Sequence, residues 1–147
     1  MKLFFMLLIF SVLINGSLWV NNLGQAEQKA QTEHKLILLN FSGSDWCGPC
    51  IRMHKEIFGS EEFLQYTKDH LILMNADFPR MKKNQLPSDQ QKLNDSLAEK
   101  YNKEGSFPCT LLLDNHGKII YTWKGFYNKG AESFTFEVKE LVEKQPR

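Results

Sequence analysis

The chain has only three cysteines in 147 residues. That is far too few for a small fold stapled by disulfides, so the core must come from burial. Charge of either sign is not in surplus: the formal net charge is +1. This balance gives no electrostatic case for nucleic acid or an anionic membrane surface. Long apolar runs are also scarce. The longest spans residues 3–14, interrupted only by Ser11, and is short for a membrane span. No cysteine stands near residue 20, which excludes a lipid-modified cysteine there. No internal repeat, low-complexity tract or second domain interrupts the chain, whose 42% apolar and 24% charged residues are ordinary for one globular domain.

The first residues read as a targeting segment. Lys2 is the positive n-region, residues 3–14 are the apolar h-region, and Asn15, Gly16 and Ser17 offer small and polar residues for cleavage. We expect residues 1–16 to be a signal peptide, with an uncleaved anchor as the alternative because Leu18, Trp19 and Val20 extend the apolar run. Residues 17–147 then form the folded domain.

Two of the cysteines stand together in Trp46-Cys47-Gly48-Pro49-Cys50. An apolar strand pattern (residues 35–41) precedes them and an amphipathic helical pattern (Ile51, Met53, His54, Ile57, Phe58) follows. The pair therefore sits where a strand ends and a helix begins. Free N–H groups and the helix dipole favour negative charge at that junction, and a thiolate is a negative charge. Cys47 is expected to attack and Cys50, one turn further in, to resolve. A static disulfide would close too small a ring to constrain much unfolded-chain entropy. A zinc set of Cys47, Cys50, His54 and Cys109 is disfavoured by Pro49 and by the presence of a single CxxC. No metal or other cofactor is expected. His54 reads as a partly exposed surface residue, Asp45 as a solvated loop carboxylate, and Arg80, Lys82 and Lys83 as a solvated loop. Phe126, Tyr127, Phe134 and Phe136 read as core and rim packing.

The remaining pattern gives a strand over residues 17–22 and a helix over 23–32. A second helical piece covers 61–69 and a strand 71–76. A helix opened by a Ser88–Gln91 capping box follows, with Leu93, Leu97 and Tyr101 at four-residue spacing. Strands over 110–113 and 118–124 are joined by a turn at Asp114–Gly117, and the closing helix covers 131–144. The order is β-α-β-α-β-α-β-β-α.

With that order, Phe41, the Trp46–Cys50 run, Phe107-Pro108 ahead of Thr110–Asp114, Gly117 and Gly125 make the chain resemble the thioredoxin superfamily over roughly residues 17–145. The run from Phe41 to Cys47 is most similar to exported bacterial thioredoxin-like proteins. The resemblance implies an α/β thioredoxin fold, a mixed sheet with helices on both faces. It also implies a protein-disulfide oxidoreductase acting outside the cytoplasm, expected as a monomer. Its partners would be protein disulfide substrates and a redox partner protein. The resemblance leaves the direction of electron flow open between reductase, oxidase and isomerase. The alternative is a binding module of the same fold without turnover, against which the intact CxxC argues. Trp46, Gly48, Pro49, Phe107 and Pro108 would support the site, with a cis peptide bond before Pro108 freeing backbone groups of residue 107 for an extended substrate. Two departures stand out as modulators. Asn40 occupies the position where the family has a buried aspartate, so the resolving step is expected to rely on water or on the disulfide's own chemistry. Cys109 follows Pro108 where a small residue is usual; it reads as a buried packing thiol, with a third redox thiol as the alternative.

Overall fold

The computed structural model of the chain describes residues 18–146. The expected signal segment, residues 1–16, lies outside them. Strand β1 (Trp19–Val20) leads into α1 (Leu23–Glu33), whose first turn is closed by the Asn22 side chain accepting the Gln25 N–H at 3.0 Å. Then come β2 (Leu36–Ser42), α2 (Gly48–Arg52), a π-helical turn (Met53–Phe58), α3 (Glu61–His70), β3 (Leu71–Asp77), α4 (Ser88–Tyr101), β4 (Cys109–Leu113), β5 (Ile119–Lys124) and α5 (Ala131–Glu143).

The five strands form one sheet in the order β1-β3-β2-β4-β5. β1, β3 and β2 run parallel, and β4 and β5 are antiparallel additions. The β2–α2–α3–β3 segment is a β-α-β crossover. Side chains alternate across the sheet. Ile37, Leu39 and Phe41 of β2 join Ile72, Met74 and Ala76 of β3 and Leu111 and Leu113 of β4 in a core shared with Ala26, Ala30, Leu97 and Tyr101. Leu38, Leu73 and Leu112 point the other way, into a core with Met53, Ile57, Phe58, Phe63, Phe134 and Val138. Helices α1 and α4 thus cover one face, and the π-helical turn, α3 and α5 cover the other.

Three local expectations need correction. The Ser88 capping box does not form: Pro87 takes the N-cap position, so Ser88 is already helical and its side chain makes no cap bond. Leu93 is 44% exposed, so Leu97 and Tyr101, with Ala98 beside them, carry that helix's apolar face inward. Phe136 is 61% exposed and packs in neither core, whereas Phe134 is fully buried. The Asp114–Gly117 turn is tied back by the Tyr101 hydroxyl donating to the Gly117 carbonyl at 2.7 Å. Gly117 sits at φ 78°, and a Cβ there would meet that hydroxyl and the Glu27 carboxylate.

Candidate active site

Cys47 is the N-cap of α2, and its Sγ accepts the Cys50 N–H at 3.2 Å. Pro49 lies in the first turn, where its missing N–H costs nothing. Cys47 and Cys50 are joined as a disulfide with Cα atoms 5.2 Å apart. Cys47 is 5% exposed and Cys50 1%, while Gly48 and Pro49 between them are exposed. The pair therefore sits just under the surface, with its loop open to a partner.

Trp46 is held from several sides. Its Nε1 donates to the Phe78 carbonyl at 2.7 Å, its ring meets Phe107 at 5.5 Å, and the Arg80 guanidinium lies 3.6 Å over it. Gly43 is required beneath it, because a Cβ there would run into the indole. Arg80 is thus more than part of a solvated loop: it roofs the active-site tryptophan. Asp45 also departs from the expected solvated carboxylate. It accepts the Arg80 and Met81 N–H groups, each at 2.9 Å, and the Asn84 amide at 3.0 Å. Those bonds, the one from Arg80 first, hold its carboxyl below the usual range.

Phe107 stacks edge-on against Phe78 as well as Trp46, which brings the segment before β4 alongside the CxxC loop. The Phe107–Pro108 peptide bond is cis, and the Pro108 carbonyl accepts the Gly125 N–H at 2.8 Å.

Asn40 is fully buried and pairs in register with Asn75 on one side and Thr110 on the other. Its Nδ2 donates to Asn75 Oδ1 at 3.0 Å, and Thr110 Oγ1 donates to its Oδ1 at 3.0 Å. The Asn40 amide also meets His54 Nε2 at 3.3 Å. His54 is therefore not simply a surface residue. Its ring closes a triangle with Trp19 and Phe58, with centroids 5.3 Å from each, and it lines one groove of about 350 Å³ with Ser44, Cys50, Ile51 and Lys55. Burial pushes the imidazole below the ordinary histidine range, with Asn75 and Asp77 acting the other way. The clue in the sequence was the four-residue step from Cys50 to His54, which sets both on one helix face.

Cys109 pairs in register with Phe41 and shares its face of the sheet, opposite to Asn40 and Thr110. It is a free thiol, 2% exposed, and burial pushes it up against the opposing pull of Lys124. Among the described residues no cluster of His, Cys, Asp and Glu could hold a metal ion.

A family model for the thioredoxin-like domain matches residues 23–135. The chain belongs to the thioredoxin superfamily. It is 35% identical over 118 residues to the disulfide bond reductase DsbH of Chlamydia pneumoniae, covering 80% of this chain and 69% of that protein. A thioredoxin-related protein of the same organism, DsbJ, is 28% identical over 125 residues; the match covers 85% of this chain but only 35% of that longer protein. A solved structure of a DsbH oxidoreductase superposes with a TM-score of 0.76 at 33% identity, over 86% of this chain and 85% of the other. A disulphide isomerase from Xylella fastidiosa Temecula1 shares the fold at TM-score 0.59 and 19% identity, over 79% and 87% of the two chains. The family and the joined Cys47–Cys50 pair make this chain a thiol–disulfide oxidoreductase.

Proposed function

We propose that the protein reduces protein disulfides outside the cytoplasm. Cys47 attacks the substrate disulfide, a Cys47–substrate mixed disulfide forms, and Cys50 displaces the substrate thiolate to regenerate the Cys47–Cys50 bond. A redox partner protein then returns two electrons. The observation that carries these roles is the placement of Cys47 Sγ at the helix start, accepting the Cys50 N–H, with Cys50 one turn deeper. That N–H favours a thiolate on Cys47, and thiolate character selects the attacking sulfur. The reducing direction is supported by the 35% identity to a disulfide bond reductase. Export is supported by the n-region and h-region pattern of residues 1–16. Trp46, Phe107 and Pro108 would form the surface on which an extended substrate lies.

The test is the reduction potential, measured by equilibration against glutathione. A reductase should lie toward thioredoxin, about −270 mV, whereas a value near that of DsbA, about −120 mV, would make it an oxidase. Export is checked by fractionating cells that express the full chain and sequencing the mature N-terminus.

A further inference from the structure

The resolving step requires Cys50 to lose a proton, and the structure puts one titratable ring beside it on the same helix face. We propose that His54 is the group that takes this proton, and that a one-directional chain of hydrogen bonds ending on Asp77 keeps its Nε2 lone pair unprotonated. The direction of the chain follows from its end. A carboxylate only accepts, so Ser42 Oγ donates to Asp77 Oδ1 at 3.2 Å. Asn75 Oδ1, 3.3 Å from the same hydroxyl, is a weaker acceptor than a carboxylate, so Ser42 keeps its proton on Asp77 and accepts from Asn75 Nδ2 at 3.2 Å. Asn75 Oδ1 must then face Asn40 Nδ2, at 3.0 Å, and Asn40 Oδ1 takes the Thr110 hydroxyl, at 3.0 Å. The second N–H of Asn40 is left pointing at His54 Nε2, which can only accept it. The Ser44 N–H and hydroxyl, both on Asp77, lock the anchor. A standing proton on Nε2 would face the Asn40 N–H, and only the Asn75 side chain and the Asp77 charge favour it.

An unprotonated Nε2 is what a base for Cys50 needs. At 3.3 Å its bond from Asn40 is at the long end of the range, so the lone pair can be shared with water in the groove that His54 and Cys50 both line. The step balances as follows. Cys50 gives its proton to His54, and its thiolate attacks Cys47 Sγ. The Cys47–Cys50 bond forms, the bond to substrate breaks, and the substrate thiolate leaves with two electrons and takes up a proton from the imidazolium or solvent. Around His54, Lys55 of its own helix lines the groove and Asp77 of β3 acts on the ring through its charge; β1, β2 and β3 contribute Trp19, Asn40 and Asn75, which do not titrate near neutrality. The sequence expectation of water or the disulfide's own chemistry took no account of His54.

This inference rests on dithiol exchange and not on its direction. The test mixes reduced protein with 5,5′-dithiobis(2-nitrobenzoate) in a stopped-flow instrument. The first release of thionitrobenzoate reports Cys47, and the second reports attack by Cys50. His54 is titrated separately by NMR in the wild-type protein. The second phase should show an inflection at the titration point of His54, and His54→Gln should slow that phase roughly 10-fold or more and remove the inflection, while the first phase persists. Asp77→Asn frees the amides to turn over and should make His54 easier to protonate, whereas loss of a nearby negative charge alone would make it harder. An unchanged second-phase profile in His54→Gln, or a wild-type inflection that does not coincide with the His54 titration, would overturn the role of His54. A downward shift in Asp77→Asn would overturn the chain. The wild-type titration needs no variant, so the test survives a poorly folded mutant.

Discussion

The two faces of the sheet are made by the same strands and end differently. On one face β2, β3 and β4 present Phe41, Ala76 and Cys109 at the active-site end, and the face stays apolar throughout. On the other, Leu38, Leu73 and Leu112 give way within one alternation step to Asn40, Asn75 and Thr110, and then to Ser42 and Asp77. Each face has its own cysteine environment. Cys109 is buried near Lys124 and Glu104, and its burial disfavours the thiolate more than Lys124 favours it. Cys47 and Cys50 lie where helix N–H groups and a satisfied polar network stand ready. Neighbouring residues 109 and 110 meet opposite surroundings because one strand presents its side chains alternately to the two faces, whereas the reactive pair stands off the sheet at a helix start.

The sharpest way to break the comparison is to exchange its cysteines. Cys47→Ser should abolish disulfide reduction. Cys50→Ser should also stop turnover and leave substrates trapped on Cys47, visible on non-reducing gels. Cys109→Ser should leave turnover within about twofold, since a buried thiol whose thiolate is disfavoured is inert. Trapping by Cys47→Ser instead would reverse the roles.

Next comes stability. Leu39→Ala, on the apolar face, should cost about 2–5 kcal/mol in denaturant unfolding, as a large-to-small core change does. Asn40→Ala, one residue on and facing the other way, should cost about 1–3 kcal/mol, because it strands the Thr110 hydroxyl and the Asn75 carbonyl. Equal costs, with no effect of Asn40→Ala on exchange, would erase the distinction between the faces.

The smaller effect is on pH. His54 has a depressed titration point in the fold, so the unfolded chain binds its proton first as pH falls. Its contribution is fully present above the unfolded value of about 6.5 and is lost as pH drops toward the lower folded value. His54→Gln should therefore flatten the decline in thermal stability over that window, and an unchanged slope would show that His54 is not held neutral.

Much of the frame was legible in the residues. The run from Leu36 to Phe41 read as a central strand because it is nearly all apolar, and the CxxC fell at a helix start because a helical pattern follows it. What stayed hidden depends on register. Asn40 and Asn75 lie 35 residues apart, and only the parallel pairing of β2 with β3 sets them side by side. Asp45 and Arg80 read as solvated for the same reason, since their partners come from the distant loop after β3 and from the loop before α2. The Ser88 cap failed on a local competition, as Pro87 already supplies the fixed backbone that starts α4. The π-helical turn at Met53–Phe58 had no signal in the pattern, which an ordinary helix satisfies equally well.

The most direct test of the two-face account is the order in which the three thiols react. Reduced, folded protein would be pulsed with iodoacetamide and each cysteine followed by peptide mass spectrometry. The account predicts that Cys47 is modified first, Cys50 more slowly, and Cys109 only after unfolding. Modification of Cys109 in the folded protein at a rate comparable to Cys47, or a disulfide linking Cys109 to either partner, would contradict it.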